Sequence, residues 1–197
     1  MTTQNTRLRY GTVAMSLHWL IALLILGNLL SGFFFANVLT HQNPYFFQIV
    51  QIHKSVGLTI LGLAILRLVW RLMNPIPALP PMSRPLRLLA RGTHYLFYAL
   101  IIGIPLVGWL MVSASSTGAP TMWFGLFPVP SFSFLADLPR AQRSPIHGNL
   151  ETLHAVLAYG AAALLVLHVS AALYHQFSRR DEVLKRMWFG TRVQDTA

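Results

Sequence analysis

Residues 151–177 read ETLHAVLAYGAAALLVLHVSAALYHQF, with a single carboxylate at the first position, no lysine or arginine, and three histidines. As a helix rising 1.5 Å per residue this stretch is about 40 Å long, more than the ~30 Å of a bilayer's hydrocarbon. Three further runs share its character: about Val13 to Ala36, containing LHWLIALLILGNLLSGFFFA, about Val50 to Leu72, and Thr93 to about Ala114. Eleven of the twelve prolines fall outside the four runs, and the exception, Pro105, is a kink that a membrane helix absorbs. Of the 197 residues 54% are hydrophobic and 10% charged, with mean hydropathy +0.53. A soluble domain carries about 25% charged residues, so a water-soluble globule is a poor fit. The expected fold is an all-α membrane protein: a four-transmembrane-helix bundle with spans at about 13–36, 50–72, 93–114 and 151–177. It forms one domain over 1–190 with a 191–197 tail.

The net charge of +10 acquires meaning once mapped. Arg7, Arg9, the group Arg67, Arg71, Arg84, Arg87 and Arg91, and the tail residues Arg179, Arg180, Lys185, Arg186 and Arg192 fall on one side of the membrane. Lys54, Arg140 and Arg143 fall on the other. Cytoplasmic loops carry the excess of lysine and arginine, so both termini and the loop between spans two and three are expected in the cytoplasm. The basic residues then serve topology and anionic lipid, and no nucleic-acid partner is expected. Arg7 and Arg9 ahead of an apolar run imitate a signal peptide, but the run is too long and no A-x-A-like site follows it. Trp19, Trp70 and Trp109 lie near span ends, as an aromatic belt requires. The outer loop 115–150, containing TMWFGLFPVPSFSF, is too apolar for a free linker and is read as a cap over the outer face.

The absence of cysteine excludes disulfides, iron–sulfur clusters, thiol catalysis and covalent c-type haem. Histidine is where the chemistry lies. Six of the eight, His18, His53, His94, His154, His168 and His175, lie in or at the ends of the apolar runs, where an ionisable side chain is costly and needs a partner. His154 and His168 are fourteen residues apart, about 40° short of four full turns, so they share a helix face about 21 Å apart along the axis. His18, near the cytoplasmic end of span one, matches the depth of His168. His53, near the outer end of span two, matches His154. Two bis-histidine pairs stacked across the membrane suit two b-type haems, since haem iron takes two axial imidazoles from opposite faces. Zinc or copper would need three or four ligands converging on one point, commonly with a carboxylate or thiolate; here the histidines split into two layers and no span has an acid in its interior. Gly27 and Gly32, Gly57 and Gly62, Gly103 and Gly108, and the run Gly160 to Ala163 are read as clearance for large rings, or as ordinary helix packing.

The strings SLHWLIALLIL, IHKSVGLTILGLAILRLVWRLMNPIP, THYLFYALIIGIPLVGWLMVSAS and LHAVLAYGAAALLVLHVSAALYHQF, followed by RRDEVLKRM, resemble the bacterial cytochrome b561 family over nearly the whole chain. That family includes superoxide oxidase and the cytochrome b subunits of hydrogenases. The resemblance implies a four-helix, multi-pass di-haem cytochrome of the bacterial inner membrane. His18 and His168 would hold the cytoplasmic-side haem b, and His53 and His154 the periplasmic-side one. It also implies superoxide or another periplasmic donor on the outside and ubiquinone, a membrane quinone, as acceptor. The chain departs from the family pattern where His175 is followed by Gln176 instead of a second histidine, and in a longer outer loop.

His94 and His175, at the cytoplasmic ends of spans three and four, are candidates for quinone headgroup binding or proton exchange, or are interfacial histidines bonded to water or lipid phosphate. His94 is also an alternative to His18 as axial ligand. Lys54, beside His53, is a candidate for attracting an anion such as superoxide. Arg67, Arg71 and Arg91 on the inner side, and Lys54, Arg140 or Arg143 on the outer, are candidates to pair with haem propionates or to snorkel to lipid phosphate. His41 and His147 are placed in loops without a role. Three functions are compatible with this pattern: a superoxide:ubiquinone oxidoreductase, an electron-transfer or membrane-anchor cytochrome b subunit of a partner dehydrogenase or hydrogenase, and a haem-free transporter using the histidines as proton relays.

Overall fold

Four long helices form the body of the protein: α1 (Thr12–Asn37), α2 (Phe46–Met73), α3 (Arg84–Ser113) and α5 (Arg140–Tyr174). Each is long and apolar enough to cross a membrane. A computed structural model describes residues 2–6, 9–78, 82–117, 120–181 and 183–190. Arg7, Arg192 and the tail 191–197 lie outside the described residues. α1 packs on α2, α2 on α3, and α3 on α5. Large side chains such as Leu23, Leu30, Phe33, Leu72 and Val166 are exposed around the bundle. A helix apolar on all sides is one that lipid surrounds.

Two helices begin earlier than hydropathy indicates. α3 starts at Arg84 instead of Thr93, and α5 at Arg140 instead of Glu151, so the connection between them shrinks to 114–139 and His147 lies inside a helix. Hydropathy marks where a helix meets lipid and is silent on its extension beyond. Pro85 is tolerated in the first turn of α3, where its missing N–H has no intrahelical partner to lose. Pro145 lies inside α5 near its start.

One end of the bundle gathers the basic segments. Asn5 donates from Nδ2 to the Pro75 carbonyl at 3.0 Å and accepts the Gly11 N–H at 2.9 Å, tying the N-terminus to the α2–α3 connection. After α5 the chain makes a π-helical turn (His175–Arg179) and a 3-10 turn (Lys185–Met187) that return it to the same end. There Trp19 Nε1 donates to the Met187 carbonyl at 2.8 Å, its ring meets Trp188 at 5.3 Å, and Arg186 donates to the Ala78 carbonyl.

The opposite end carries a β-hairpin, β1 (Thr121–Trp123) with β2 (Phe127–Val129), and a short helix α4 (Ser133–Ala136). The hairpin lies along α2, where it covers the polar stripe Gln51, Ser55 and Thr59. Gln51 donates to the Pro120 carbonyl, and Trp123 Nε1 donates to Thr59 Oγ1 at 3.1 Å. Ser55 Oγ lies 3.1 Å from the Met122 carbonyl and accepts the Phe124 N–H at 2.9 Å. That contact holds Phe124 at φ 47°, and with Gly125 at φ 75° it makes the tight turn of positive φ that hairpin twist favours. Trp109 Nε1 donates to the Pro130 carbonyl at 2.9 Å, and Ser113 Oγ accepts the Phe132 N–H, so α3 anchors the rest of the loop. Trp19 and Trp109 thus spend their indole N–H groups inside the fold, pinning segments that the sequence leaves loose.

Candidate functional site

The bundle encloses a cavity of about 1640 Å³ that reaches from the hairpin end to the basic end. Small-molecule pockets span about 300–1,000 Å³, so this one has room for more than a single group. His18, His53, His94, His154, His168 and His175 all line it.

At the hairpin end His53 of α2 faces His154 of α5 with ring centres 6.2 Å apart. The two are held alike. His53 Nδ1 lies 3.2 Å from the Asn28 carbonyl of α1 and 3.3 Å from Ser31 Oγ, and His154 Nδ1 lies 3.1 Å from the Ile104 carbonyl of α3. In each case the residue four positions beyond the accepting carbonyl is glycine. A Cβ on Gly32 would come within 2.9 Å of His53 Cε1, and one on Gly108 within 3.1 Å of His154 Cε1. These glycines therefore make room for the imidazoles themselves. Gly27, Gly62, Gly103 and Gly160 have open space where a side chain would go, and Gly57 abuts only Asn28. With Nδ1–H given to a carbonyl, the bare nitrogen of each ring is Nε2.

At the basic end His18 of α1 faces His168 of α5, with ring centres 6.4 Å apart. His94 of α3 stands at the same 6.4 Å from His168, and Phe97 packs on that ring at 5.1 Å. His94 Nδ1 bonds back to the Ala90 carbonyl of its own helix at 2.6 Å. His18 is held by a cation, because Arg67 Nη2 lies 3.0 Å from its Nδ1. Arg67 and Arg71 both lie over the Tyr98 ring, 5.8 and 5.4 Å from its centre. His175 lies further out and pairs with Asp181. Lys54 lines the cavity beside His53 and is half-buried. Arg143 donates to the Ala136 carbonyl and so braces the loop, Arg91 is exposed, and His41 packs on Phe46.

The donors suit a ring-bound iron. With metal–imidazole bonds of about 2.0 Å, and each ring centre about 1 Å behind its nitrogen, two axial imidazoles on one metal have centres about 6 Å apart. Both couples match. Asn28 Oδ1 and Trp70 Nε1, on the cavity wall, are buried without a hydrogen-bond partner among the described residues, as polar atoms facing a bound group would be. No group of three or more His, Cys, Asp or Glu among the described residues is arranged to hold a bare metal ion.

Sequence reasoning missed Asp181, although it is one of only five acids in a strongly basic chain and that rarity was a usable signal. It leaves Gly32 and Gly108 between clearance for a large ring and ordinary helix packing, since pairing a glycine with an imidazole on another helix needs the interhelical register.

The model of the family described as prokaryotic cytochrome b561 matches residues 9–190. The chain is 34% identical over 188 residues to cytochrome b561 homolog 2 of Escherichia coli (strain K12), covering 95% of both. It is 27% identical over 186 residues to the probable superoxide oxidase CybB of Yersinia pestis, covering 91% of this chain and 95% of that one. Membership of the family implies b-type haem, and the four apolar helices make the protein multi-pass in the bacterial inner membrane. The chain belongs to the prokaryotic cytochrome b561 family and is a membrane cytochrome.

Proposed function

We propose that this cytochrome holds two b haems and carries electrons across the inner membrane from superoxide, or another periplasmic donor, to ubiquinone. His53 and His154 hold the periplasmic-side haem, and His18 and His168 the cytoplasmic-side one. The observation that carries this reading is the pair of imidazole couples, each drawn from separate helices, with ring centres 6.2 and 6.4 Å apart at two depths of one cavity. The positive-inside rule supports placing the basic end in the cytoplasm.

When bound, a bis-imidazole haem supplies one-electron transfer with no coordination position left for oxygen. The chain's own residues do the rest. The Asn28 and Ile104 carbonyls orient the hairpin-end imidazoles and raise their basicity as ligands. Arg67, Arg71 and Trp70 put cationic and donor groups at the basic end, where a buried carboxylate needs them. Lys54 places a positive charge beside His53, which draws an anion such as superoxide toward that end. His175, at the basic mouth of the cavity, offers an imidazole for proton exchange where a quinone takes up electrons. His94 is a second candidate for that role.

The purified protein is expected to be red, with a reduced-minus-oxidised b-type spectrum; a colourless protein after expression with ample haem would favour the transporter reading. Mixed with a superoxide source and ubiquinone, it is expected to form quinol faster than the uncatalysed background. Background-rate quinol formation with an intact spectrum would make the chain a cytochrome b subunit for a partner dehydrogenase or hydrogenase.

A further inference from the structure

Among the described residues one histidine meets a carboxylate: His175 Nδ1 lies 2.5 Å from Asp181 Oδ2. Backbone geometry builds the contact. α5 loosens into the π-helical turn His175–Arg179, Arg180 takes φ 52°, and the reversal lets Asp181 N–H return to the His175 carbonyl at 3.2 Å. The left-handed conformation is unfavourable for a non-glycine residue, and π-helical turns concentrate at functional sites. The carboxylate is used twice, since its Oδ1 accepts the Val183 N–H at 3.1 Å. The segment that follows is fastened to Trp19 and to the Ala78 carbonyl, so Asp181 sits between fixed points. The two side chains are 30% and 27% exposed, yet both line the cavity that holds His168 two turns up α5. They touch water and cavity at once.

We propose that Asp181 is the positioning residue of a proton-donating pair in which His175 protonates the quinone, an inference that rests on quinone being the acceptor at this end. An ionised carboxylate only accepts hydrogen bonds, so the ring keeps a proton on Nδ1 and exchanges through Nε2. Reducing one quinone to quinol consumes two electrons, delivered singly by the periplasmic donor, and two protons, and it forms an O–H bond at each carbonyl oxygen. One proton leaves His175 Nε2 for the nearer oxygen and is replaced from cytoplasmic water; the other oxygen takes its proton from the same water. Asp181 fixes the tautomer and the orientation of the ring, so that Nε2 is the nitrogen that exchanges.

The test uses haem-loaded protein reduced chemically and mixed with a short-chain ubiquinone, following haem reoxidation in a stopped-flow instrument. Asp181→Asn keeps Oδ1 for the Val183 N–H while removing the charge. It is expected to slow reoxidation at least tenfold, with haem content, spectrum and reduction by superoxide unchanged, and Asp181→Glu is expected to recover most of the rate. Independently of turnover, 15N-histidine NMR, with His175→Gln for assignment, should show a protonated Nδ1 on His175 in the native protein and mixed tautomers in Asp181→Asn. Native reoxidation rates in Asp181→Asn, or a bare Nδ1 in the native protein, overturn the inference alone. If quinone fails to reoxidise the native protein, the acceptor reading falls and the pair's role falls with it.

Discussion

The two imidazole couples have nearly the same spacing and opposite surroundings. At the hairpin end each ring is braced by a backbone carbonyl from a neighbouring helix and backed by a glycine, so one arrangement is fixed. At the basic end His18 is held by a guanidinium, and His168 sees two imidazoles, His18 and His94, at the same 6.4 Å. Arginine has no acceptor, so the His18 Nδ1 in that contact is bare and its ring proton sits on Nε2. In the first couple both Nδ1 atoms are engaged by carbonyls, which leaves each Nε2 as the bare nitrogen. In the proposed assignment, a His18 that ligates through Nε2 would carry its proton on Nδ1 instead, a state that the Arg67 contact opposes.

The largest effect expected is loss of a whole haem. His53→Ala and His154→Ala should each remove the same one, about half of the b-type absorbance, because a six-coordinate bis-imidazole iron needs both ligands. His18→Ala and His168→Ala should remove the other. Difference spectra in which His53→Ala and His18→Ala lack one common haem would dissolve the comparison altogether. His94→Ala sharpens it: both haems should persist, and loss of one would move the basic-end ligand from α1 to α3.

The two ends also differ in how far the sequence alone reveals them. Four apolar runs and a skewed charge map were enough to give the number of spans, and a fourteen-residue spacing was enough to give the two layers. Periodicity places a residue on a face of its own helix, which suffices when partners are few. It does not say which of His18 and His94 lies nearer His168, since that depends on packing between helices, and the structure finds the two equidistant. The Gly32–His53 and Gly108–His154 contacts were hidden for the same reason. The hairpin was hidden differently. Phe124 at positive φ departs from the local preference for Asn or Gly, and its N–H is bonded to Ser55, 69 residues away. Helix ends beyond the hydrocarbon leave no hydropathy signal, so hydropathy alone marks α3 and α5 shorter than they are.

Among smaller effects, Gly108→Val should weaken the hairpin-end haem about tenfold or more, near 1.4 kcal/mol. Its Cβ would meet an imidazole that the Ile104 carbonyl keeps from turning away. Gly103→Val, with open space at the same helix, is the control and should bind both haems normally. A titration of Gly108→Val apoprotein that matches the native curve would mean the glycine is not part of the brace.

Arg67→Met addresses the other couple and should have the smallest effect, with a sign that discriminates. A hydrogen bond to a charged group is worth about 1.5–3 kcal/mol, and the His18 ring forfeits the one from Arg67 when Nε2 turns to a metal. Native apoprotein titrated with haem should therefore fill the His53–His154 couple first, with about tenfold higher affinity, as resolved by the loss of one spectral component in His154→Ala. Replacing the guanidinium removes that competitor, and the gap should narrow to about threefold, roughly 0.7 kcal/mol. Arg67 also lies over Tyr98 beside Arg71, where it is placed to meet a carboxylate on a bound group. If that contact outweighs the bond to His18, Arg67→Met widens the gap instead. The direction of the change decides whether this arginine competes with a ligand for His18 or fastens a carboxylate of the bound group.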